Sequence, residues 1–293
     1  MKKQNREKLT GYLTAMPAIT FLLVFTVYPV FYLIYASFFN GSLIQTKRKF
    51  IGLGNYIYLF KSEDFQIVLR NTIIYTILLV MIVIVLAILV AVWLNGKKHS
   101  RLNNFVQSIT FMPHIISLVS VSLVFLWLMD ADSGLLNMMF NILGLNPYPF
   151  LTSPQTALFS LVIVMIWKSL GYYTLLIMAA LQTIPSNIYE AAAVDDISPI
   201  RVFFKITLPM ISPTILLTTV VATINSFKVF DTINIMTQGG PINSSNTLVY
   251  YIYQYAFKYS KIGQASAAGV ILLILVSVLT IIQFGVSKNK VQY

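Results

Sequence analysis

The sequence predicts an all-α polytopic membrane protein with six transmembrane helices. Hydrophobic residues make up 57% of its 293 positions, charged residues only 10%, and the mean hydropathy is +0.78. A typical soluble domain carries roughly 25% charged residues. Long apolar runs recur along the chain, and the clearest reach the ~20 residues with which an α-helix crosses ~30 Å of hydrocarbon. We therefore interpret residues 1–293 as a single transmembrane domain.

The first predicted span follows a basic N-terminal segment and contains Pro17 and Pro29 but no charge. Its apolar run is about twice as long as the core of a signal peptide, which favours a retained span over a cleaved signal. The third span is broken at Pro113-His114. The predicted spans are residues 12–39, 73–94, 105–129, 157–181, 211–235 and 263–286.

Three polar segments connect spans on one side of the membrane. Residues 40–70 mix aromatic side chains with charges, a composition typical of a bilayer interface. Residues 130–156 contain a short helix candidate at 135–143 and a turn-rich Asn-Pro-Tyr-Pro string. After the fifth span, Gly239-Gly240-Pro241 predicts a turn.

The distribution of basic residues predicts the orientation. Six spans place both termini on one side, together with the short loop at 97–101 and the segment 183–210. That side carries 11 basic residues, against 7 on the opposite side. Because cytoplasmic loops are enriched in Lys and Arg, we expect both termini and the segment 183–210 in the cytoplasm.

Composition also excludes several functions. The chain has no cysteine and only two histidines, which leaves little material for a metal site. Its one Gly-Lys pair, Gly96-Lys97, has Ala91 where a phosphate-binding loop requires glycine, so the chain is not itself an ATPase. The net charge of +11 comes from bases that flank apolar segments, as expected for a membrane protein and not for a nucleic-acid binder.

The segment 183–210 is the most informative loop. Ser186 is a candidate N-cap for a helix to about Asp195, and Ser198-Pro199 predicts the start of a second helix that ends before Leu208-Pro209. A turn at Asp196 separates the two helices. Physical reasoning alone leaves equal weight on an amphipathic helix that lies on the bilayer and on a helix that docks against another surface.

The residues of this loop carry a family resemblance. Glu190-Ala191-Ala192, Asp195 and the string 206–209 together resemble the EAA loop of permease subunits in bacterial binding-protein-dependent ABC importers. In that family the loop is the cytoplasmic coupling helix that docks on a separate ATP-hydrolysing subunit. The family has glycine where Asp196 stands, and aspartate is among the few residues that tolerate a left-handed turn. The predicted coupling residues are Glu190, Ala191, Ala192, Asp195, Asp196, Arg201, Leu208 and Pro209.

Further strings extend the resemblance from about residue 16 to residue 282. These strings are similar to the sugar and glycerol-phosphate branch of the same importers, specifically to the first of two unlike permease subunits. They are Gly52 to Tyr56 with Asn71-Thr72, the stretch 226–231 and the stretch 237–241. The resemblance implies half of a carbohydrate pathway in the bacterial inner membrane. It also implies four kinds of neighbour: a second permease subunit, two ATP-binding subunits that hold ATP and Mg, an extracytoplasmic solute-binding protein and the lipid bilayer.

Polar residues inside spans are the candidates for the solute pathway, because each is costly there unless it is paired or faces water. Lys168 either faces the pathway or reaches a backbone carbonyl, and Lys228 and Asp231 either serve the pathway or neutralise each other on one helical face. We expect His114 to be structural and the small residues at 263–269 to serve helix packing. The candidate pathway residues are Lys168, Tyr172, Tyr173, Asn225, Ser226, Lys228, Asp231 and Asn234.

Two other classes of protein are less consistent with the sequence. A secondary transporter should bury carboxylates or a proton relay, and apart from Asp231 the predicted spans offer none. A membrane enzyme should show a convergent cluster of acids, histidines or nucleophiles, and two separate histidines do not form one. A transporter subunit without bond chemistry of its own is therefore the main prediction, with a secondary transporter of a small polar solute as the alternative.

Overall fold

The computed structural model describes residues 2–42, 49–96 and 101–288, and it describes side chains at 11–42, 49–96 and 105–285. The described chain is predominantly helical and has almost no strand, which confirms the predicted all-α fold. The contacts between Cα atoms divide the chain into a smaller unit, Met1–Ser62 with Ile252–Ile271, and a larger unit, Glu63–Tyr251 with Leu272–Tyr293.

The smaller unit begins with one long helical stretch. Helix α1 (Lys2–Leu22) passes through a π-helical turn (Leu23–Val27) into α2 (Tyr28–Ser37). Strands β1 (Phe39–Asn40) and β2 (Lys49–Phe50) pair antiparallel, with Phe39 opposite Phe50, and α3 (Gly54–Lys61) follows. After α14 (Leu248–Tyr253), a π-helical turn (Gln254–Lys258) leads into α15 (Ile262–Lys288).

Close backbone approach explains the small residues at the start of α15. A Cβ atom on Gly263 would overlap the Phe39 carbonyl oxygen, and one on Gly269 would lie 3.2 Å from Leu33 Cδ1. The buried Asn55 amide donates to the Ser37 and Phe39 carbonyl oxygens at 2.8 and 3.0 Å, in the same part of this unit. The packing role predicted for this stripe therefore agrees with the structure.

The larger unit is built on α4 (Glu63–Gly96) and α8 (Ala157–Gln182). Buried residues on α4 recur at helical spacing, at Val80, Val83, Ile84, Ala87, Ala91 and Leu94, and they form one core with Ile177 and Leu181 of α8. Helices α5 (Arg101–Ile115), α6 (Leu118–Leu128) and α7 (Leu135–Ile142) precede α8, and α7 matches the predicted short helix. After α8 come α9 (Ser186–Val194), α10 (Pro199–Val202), a π-helical turn (Phe203–Thr207), α11 (Leu208–Met210), α12 (Ser212–Phe227) and α13 (Asp231–Met236).

The third predicted span is the one that departs from a simple helix. Helices α5 and α6 meet at an angle of 103°, and the break lies after Ile115. It was predicted at Pro113-His114, but Pro113 lies inside α5. Of the described helices, five are long and apolar enough to cross a membrane, or six if this bent pair is one span. The count of six spans stays a prediction.

Two of the prolines inside helical stretches, Pro29 and Pro209, each follow a π-helical turn and one further residue. Pro29 follows the turn Leu23–Val27 and Tyr28, and Pro209 follows the turn Phe203–Thr207 and Leu208. Proline lacks an N–H and its ring crowds the carbonyl four residues earlier, and a wider turn relieves that crowding. The prediction that the second loop helix ends before Leu208-Pro209 is therefore wrong, because the helical path continues to Met210.

Polar side chains fasten the loop after α13 to α4. Asn71 donates to the carbonyl oxygens of Asn243 and Asn246 at 2.8 and 3.2 Å, and the Thr72 hydroxyl accepts from the Leu248 N–H at 2.9 Å. Asn71 and Thr72 are buried. These two residues, which carried part of the family resemblance, therefore hold this loop in place.

Candidate functional site: a central pocket and an exposed loop

A pocket of about 470 Å³ lies in the larger unit, beside the middle of α8. It is lined by side chains from α4, α8 and α12, from the junction of α5 with α6, and from the segment that follows α12. The residues that line it are Leu79, His114, Leu118, Met165, Lys168, Ser169, Tyr172, Tyr173, Asn225, Ser226, Lys228 and Val229. Six of these were predicted from the sequence as pathway residues: Lys168, Tyr172, Tyr173, Asn225, Ser226 and Lys228.

Lys168 connects α8 to the break in the third span. It is the twelfth of the 26 residues of α8, and only 9% of its surface is exposed. Its Nζ donates to the His114 carbonyl oxygen at 2.7 Å, at the C-terminal end of α5, where unpaired carbonyls attract a cation. The sequence left two alternatives for this lysine. The structure shows the contact with a carbonyl, and the placement of Lys168 on the solute pathway stays a prediction.

His114 and Tyr172 form an aromatic surface in the pocket. Their rings stack with centroids 4.8 Å apart and an interplanar angle of 14°. Tyr173 lies edge-on to Tyr172 at 5.2 Å, and the Tyr173 hydroxyl accepts a long 3.5 Å hydrogen bond from the Asn225 amide. Stacked rings beside hydroxyl and amide groups can hold a flat apolar face of a ligand and its polar substituents.

A tight helix crossing positions this aromatic surface. Gly171 of α8 is buried, and a Cβ atom there would overlap the Thr110 carbonyl oxygen and lie 2.9 Å from Phe111 Cα. Glycine thus lets α5 and α8 approach closely one position before Tyr172.

Lys228 and Asp231 do not share a helical face. Helix α12 ends at Phe227 and α13 begins at Asp231, so the chain between them is not helical. The expectation that they lie three apart on one helix is wrong, and Lys228 lines the pocket whereas Asp231 does not. Asn234 also lies on α13, which packs against α6, and Asn234 does not line the pocket.

Sequence reasoning missed other lining residues. Met165 and Ser169 flank Lys168 on α8 at spacings of three and one, and Met165 also accepts from the Thr232 hydroxyl at 3.4 Å. Leu118 is the first residue of α6. The helical spacing around Lys168 could have indicated Met165, whereas Leu118 depends on the bend that follows α5.

The loop between α8 and α12 holds the predicted coupling residues, and Asp196 forms its turn. Asp196 has φ +50°, so the predicted left-handed turn is confirmed. The Ile197 N–H donates to the Ala192 carbonyl oxygen at 3.0 Å and the Asp196 N–H to that of Ala193 at 3.2 Å, a Schellman arrangement that ends α9.

The starts of the two helices in this loop agree with the sequence to different degrees. Ser198 is the N-cap of α10 and Pro199 its first residue, as predicted. At the start of α9, however, the N-cap is Pro185, and Ser186, the predicted cap, is already the first helical residue and makes no capping hydrogen bond there. The extended backbone of Pro185 (ψ 137°) sets the entry into the helix instead.

The outer face of the loop mixes charge with exposed apolar surface. Ala192 is buried, with 4% of its surface exposed, whereas Val194 is 86%, Ile200 74% and Phe204 61% exposed. Leu208 is half-buried. The remaining predicted coupling residues are all exposed: Glu190, Ala191, Asp195, Asp196, Arg201 and Pro209.

The loop is attached to the helices behind it. The hydroxyls of Tyr189 and Thr207 share a hydrogen bond of 3.2 Å, which connects α9 to the π-helical turn. Tyr189 and Ala192 also line a cleft of about 420 Å³ whose other wall includes Val92 and Asn95 of α4.

Comparisons with known proteins give consistent results. Residues 83–292 match the family described as binding-protein-dependent transport system inner membrane component. The lactose transport system permease protein of Rhizobium radiobacter is 32% identical over 96% of this chain and 95% of its own length. The sn-glycerol-3-phosphate transport system permease protein of Yersinia pestis is 31% identical over 96% of this chain and 95% of its own length.

A solved structure is similar over nearly the whole chain. It is a bacterial alginate ABC transporter in complex with an alginate pentasaccharide-bound periplasmic protein. The matching chain has a TM-score of 0.88 and 26% identity, and the match covers 99% of this chain and 97% of that one.

Proposed function

Because the chain belongs to the family of binding-protein-dependent transport system inner membrane components, we propose that the pocket around Lys168 lies on its solute pathway and that the loop 183–210 couples it to ATP hydrolysis. The chain is a membrane-spanning permease subunit of a sugar-type ABC importer, since its relatives are sugar and glycerol-phosphate permeases. The alternative of a secondary transporter has no support among these relatives.

One observation carries the pathway assignment. Six candidate residues, chosen from the sequence because polar groups are costly inside a membrane, line one pocket beside the middle of α8. Packing alone would scatter such residues, because each helix could satisfy its own polar groups independently. Their convergence from two helices supports a polar path for solute.

The coupling assignment rests on the exposure of the loop 183–210. Glu190, Asp195 and Arg201 are exposed beside Val194, Ile200 and Phe204, whose apolar side chains also face outward. A face that combines exposed apolar side chains with flanking charges is suited to a protein partner. We propose that this partner is an ATP-binding subunit, which holds ATP and Mg.

The proposed assembly has four kinds of component besides the lipid bilayer. This chain would pair with a second, unlike permease subunit, two ATP-binding subunits and an extracytoplasmic solute-binding protein. The alginate transporter, which was solved with a solute-bound periplasmic protein, supports the last of these. The chain would lie in the bacterial inner membrane with both termini in the cytoplasm.

The mechanism we propose is conformational, and the chain makes and breaks no bonds. Closure of the ATP-binding subunits would move α9, and the Tyr189–Thr207 contact and the packing of Tyr189 against the core of α4 and α8 would pass that motion to the spans. The spans would then exchange inward-facing and outward-facing arrangements. Such coupling requires two states that differ in affinity for ATP and for solute.

Thiol accessibility tests the pathway in this cysteine-free chain. Asn225→Cys places a thiol in the pocket, and Leu217→Cys places a control thiol on the same helix, at a residue 57% exposed outside the pocket. In the reconstituted importer, a neutral water-soluble thiol reagent should label Asn225→Cys and stop its remaining solute uptake. It should leave Leu217→Cys uptake unchanged. Labelling of Asn225→Cys without loss of uptake would remove the pocket from the pathway.

A further inference from the structure

The central pocket carries positive charge that none of its lining residues neutralises. Lys168 and Lys228 both line it. The other polar lining residues are neutral: Ser169, Tyr172, Tyr173, Asn225 and Ser226. Within the described lining there is no carboxylate. A ligand in this pocket would therefore meet a cationic environment.

Lys168 retains hydrogen-bonding capacity towards the pocket. An ammonium group has three N–H donors, and the contact to the His114 carbonyl oxygen uses one of them. That carbonyl, at the end of α5, offers a partial negative charge, which is less than the full charge of the lysine. Because only 9% of Lys168 is exposed, water can replace an anionic partner only in part.

Lys228 supplies the second cation from another element. It caps the C-terminal end of α12, where the helix stops and the chain turns towards α13. Unlike Lys168 it is exposed, so its ammonium group is available to a solute that enters the pocket. Lys168 on α8 and Lys228 just after α12 line one pocket and form a site for an anionic group, because charge-assisted hydrogen bonds to ammonium groups are stronger than neutral ones.

The aromatic surface specifies the rest of the ligand. His114 and Tyr172 stack on each other and both line the same pocket. The apolar face of a sugar ring can pack on such a surface, while Asn225 and Ser226 provide partners for hydroxyl groups. Cations and a ring-stacking face together suit a carbohydrate that carries an acidic group.

We propose that this pocket binds anionic carbohydrates, with the acidic group of the solute at Lys168 and Lys228 and its ring against His114 and Tyr172. The inference rests on the proposed solute pathway and narrows it from carbohydrates in general to those with a carboxylate or a phosphate. A neutral sugar would leave both ammonium groups without a charged partner, so it would bind more weakly.

Equilibrium binding to the full-length chain in its complex, in lipid nanodiscs without the solute-binding protein, tests the proposal. The probes are glucuronate, glucose 6-phosphate and glucose, which share a ring and differ in charge. Both anionic probes should bind about tenfold or more tightly than glucose, and Lys228→Gln should remove most of that difference. Preference for only one anion would tell whether the site recognises a carboxylate or a phosphate.

Control variants show whether a change in affinity comes from the pocket or from a general loss of structure. Lys61→Gln removes an exposed lysine outside the pocket and should leave all three affinities unchanged, and Lys228→Arg should retain the preference for anions. Lys168→Gln should also lower the affinity for both anions, but it removes the contact to the His114 carbonyl as well. If Lys168→Gln does not fold, the affinities of Lys228→Gln decide the test.

Three results would overturn the proposal: equal affinity for the anionic probes and glucose, equal losses for all probes in Lys228→Gln, or no binding of either anion. The labelling of Asn225→Cys shows which inference has failed. If that labelling still stops uptake, the pathway stands and the preference for anions is wrong. If it does not, the pathway assignment itself has failed.

Discussion

Asp196 occupies a backbone conformation that most side chains avoid. Its φ of +50° lies in the left-handed region, which glycine adopts without penalty and aspartate tolerates better than β-branched residues. The hydrogen bonds that end α9 depend on this conformation and do not involve the carboxylate. The role of Asp196 therefore follows from its backbone.

We predict that Asp196→Gly keeps transport near the wild-type level and that Asp196→Val lowers it. Valine at positive φ would cost of order 1–3 kcal/mol and would disturb the turn between α9 and α10. Solute uptake by the reconstituted importer measures both variants. Loss of uptake in Asp196→Gly together with full uptake in Asp196→Glu would show instead that the carboxylate binds a partner.

Glu190 is an exposed acid on α9, the helix proposed to dock. We predict that Glu190→Ala or Glu190→Lys lowers solute-stimulated ATPase activity and transport, because a charge-assisted contact to the ATP-binding subunit is worth roughly 1.5–3 kcal/mol. Membrane insertion should stay normal. Asp132→Ala, which removes an exposed acid from another loop, is the control, and wild-type coupling in Glu190→Lys would contradict the docking role.

At the scale of elements, prolines and helix breaks decide the paths of the spans. The π-helical turns before Pro29 and Pro209 let helices continue where the sequence alone indicated an interruption or an end. By contrast, the break between α5 and α6 follows Ile115, beyond Pro113, and Lys168 of α8 binds a carbonyl at this break. A contact between helices thus accompanies the bend, which local sequence signals did not locate.

The crossing of α5 and α8 gives a prediction at this scale. Gly171→Ala places a methyl group against the Thr110 backbone, and a backbone neighbour cannot rotate away. We expect a loss of about 1–3 kcal/mol in stability, which is typical of overpacking. Gly285→Ala is the control, since a Cβ there meets nothing within 4 Å. The midpoint of thermal unfolding in detergent is measured for both variants. Equal midpoints would show that α5 and α8 can move apart at no cost in stability.

For the whole molecule, orientation in the membrane is the main prediction from charge. Single cysteines at Thr152 and Ile242 should react with an impermeant maleimide added outside right-side-out vesicles, whereas cysteines at Val194 and Ser198 should not. All four positions are exposed in the structure, so the side of the membrane on which each cysteine lies decides whether the reagent reaches it. The reverse labelling pattern would overturn the cytoplasmic placement of the loop 183–210.

The sequence by itself determined the features that depend on local rules. Hydropathy indicated a helical membrane protein, α8 begins and ends within a residue of its predicted bounds, and the Ser198-Pro199 start and the left-handed turn at Asp196 follow from the preferences of those residue types. Costly polar groups inside spans also indicated half of the lining of the central pocket.

Only the tertiary structure decided which of those polar groups meet. Lys168 and His114 are far apart in sequence, and their contact depends on how closely α5 approaches α8 at Gly171. Lys228 and Asp231 are three residues apart, yet the end of α12 at Phe227 places only Lys228 in the pocket. Periodicity describes one helix at a time, whereas a pocket between helices depends on where each helix breaks and how closely its neighbours pack.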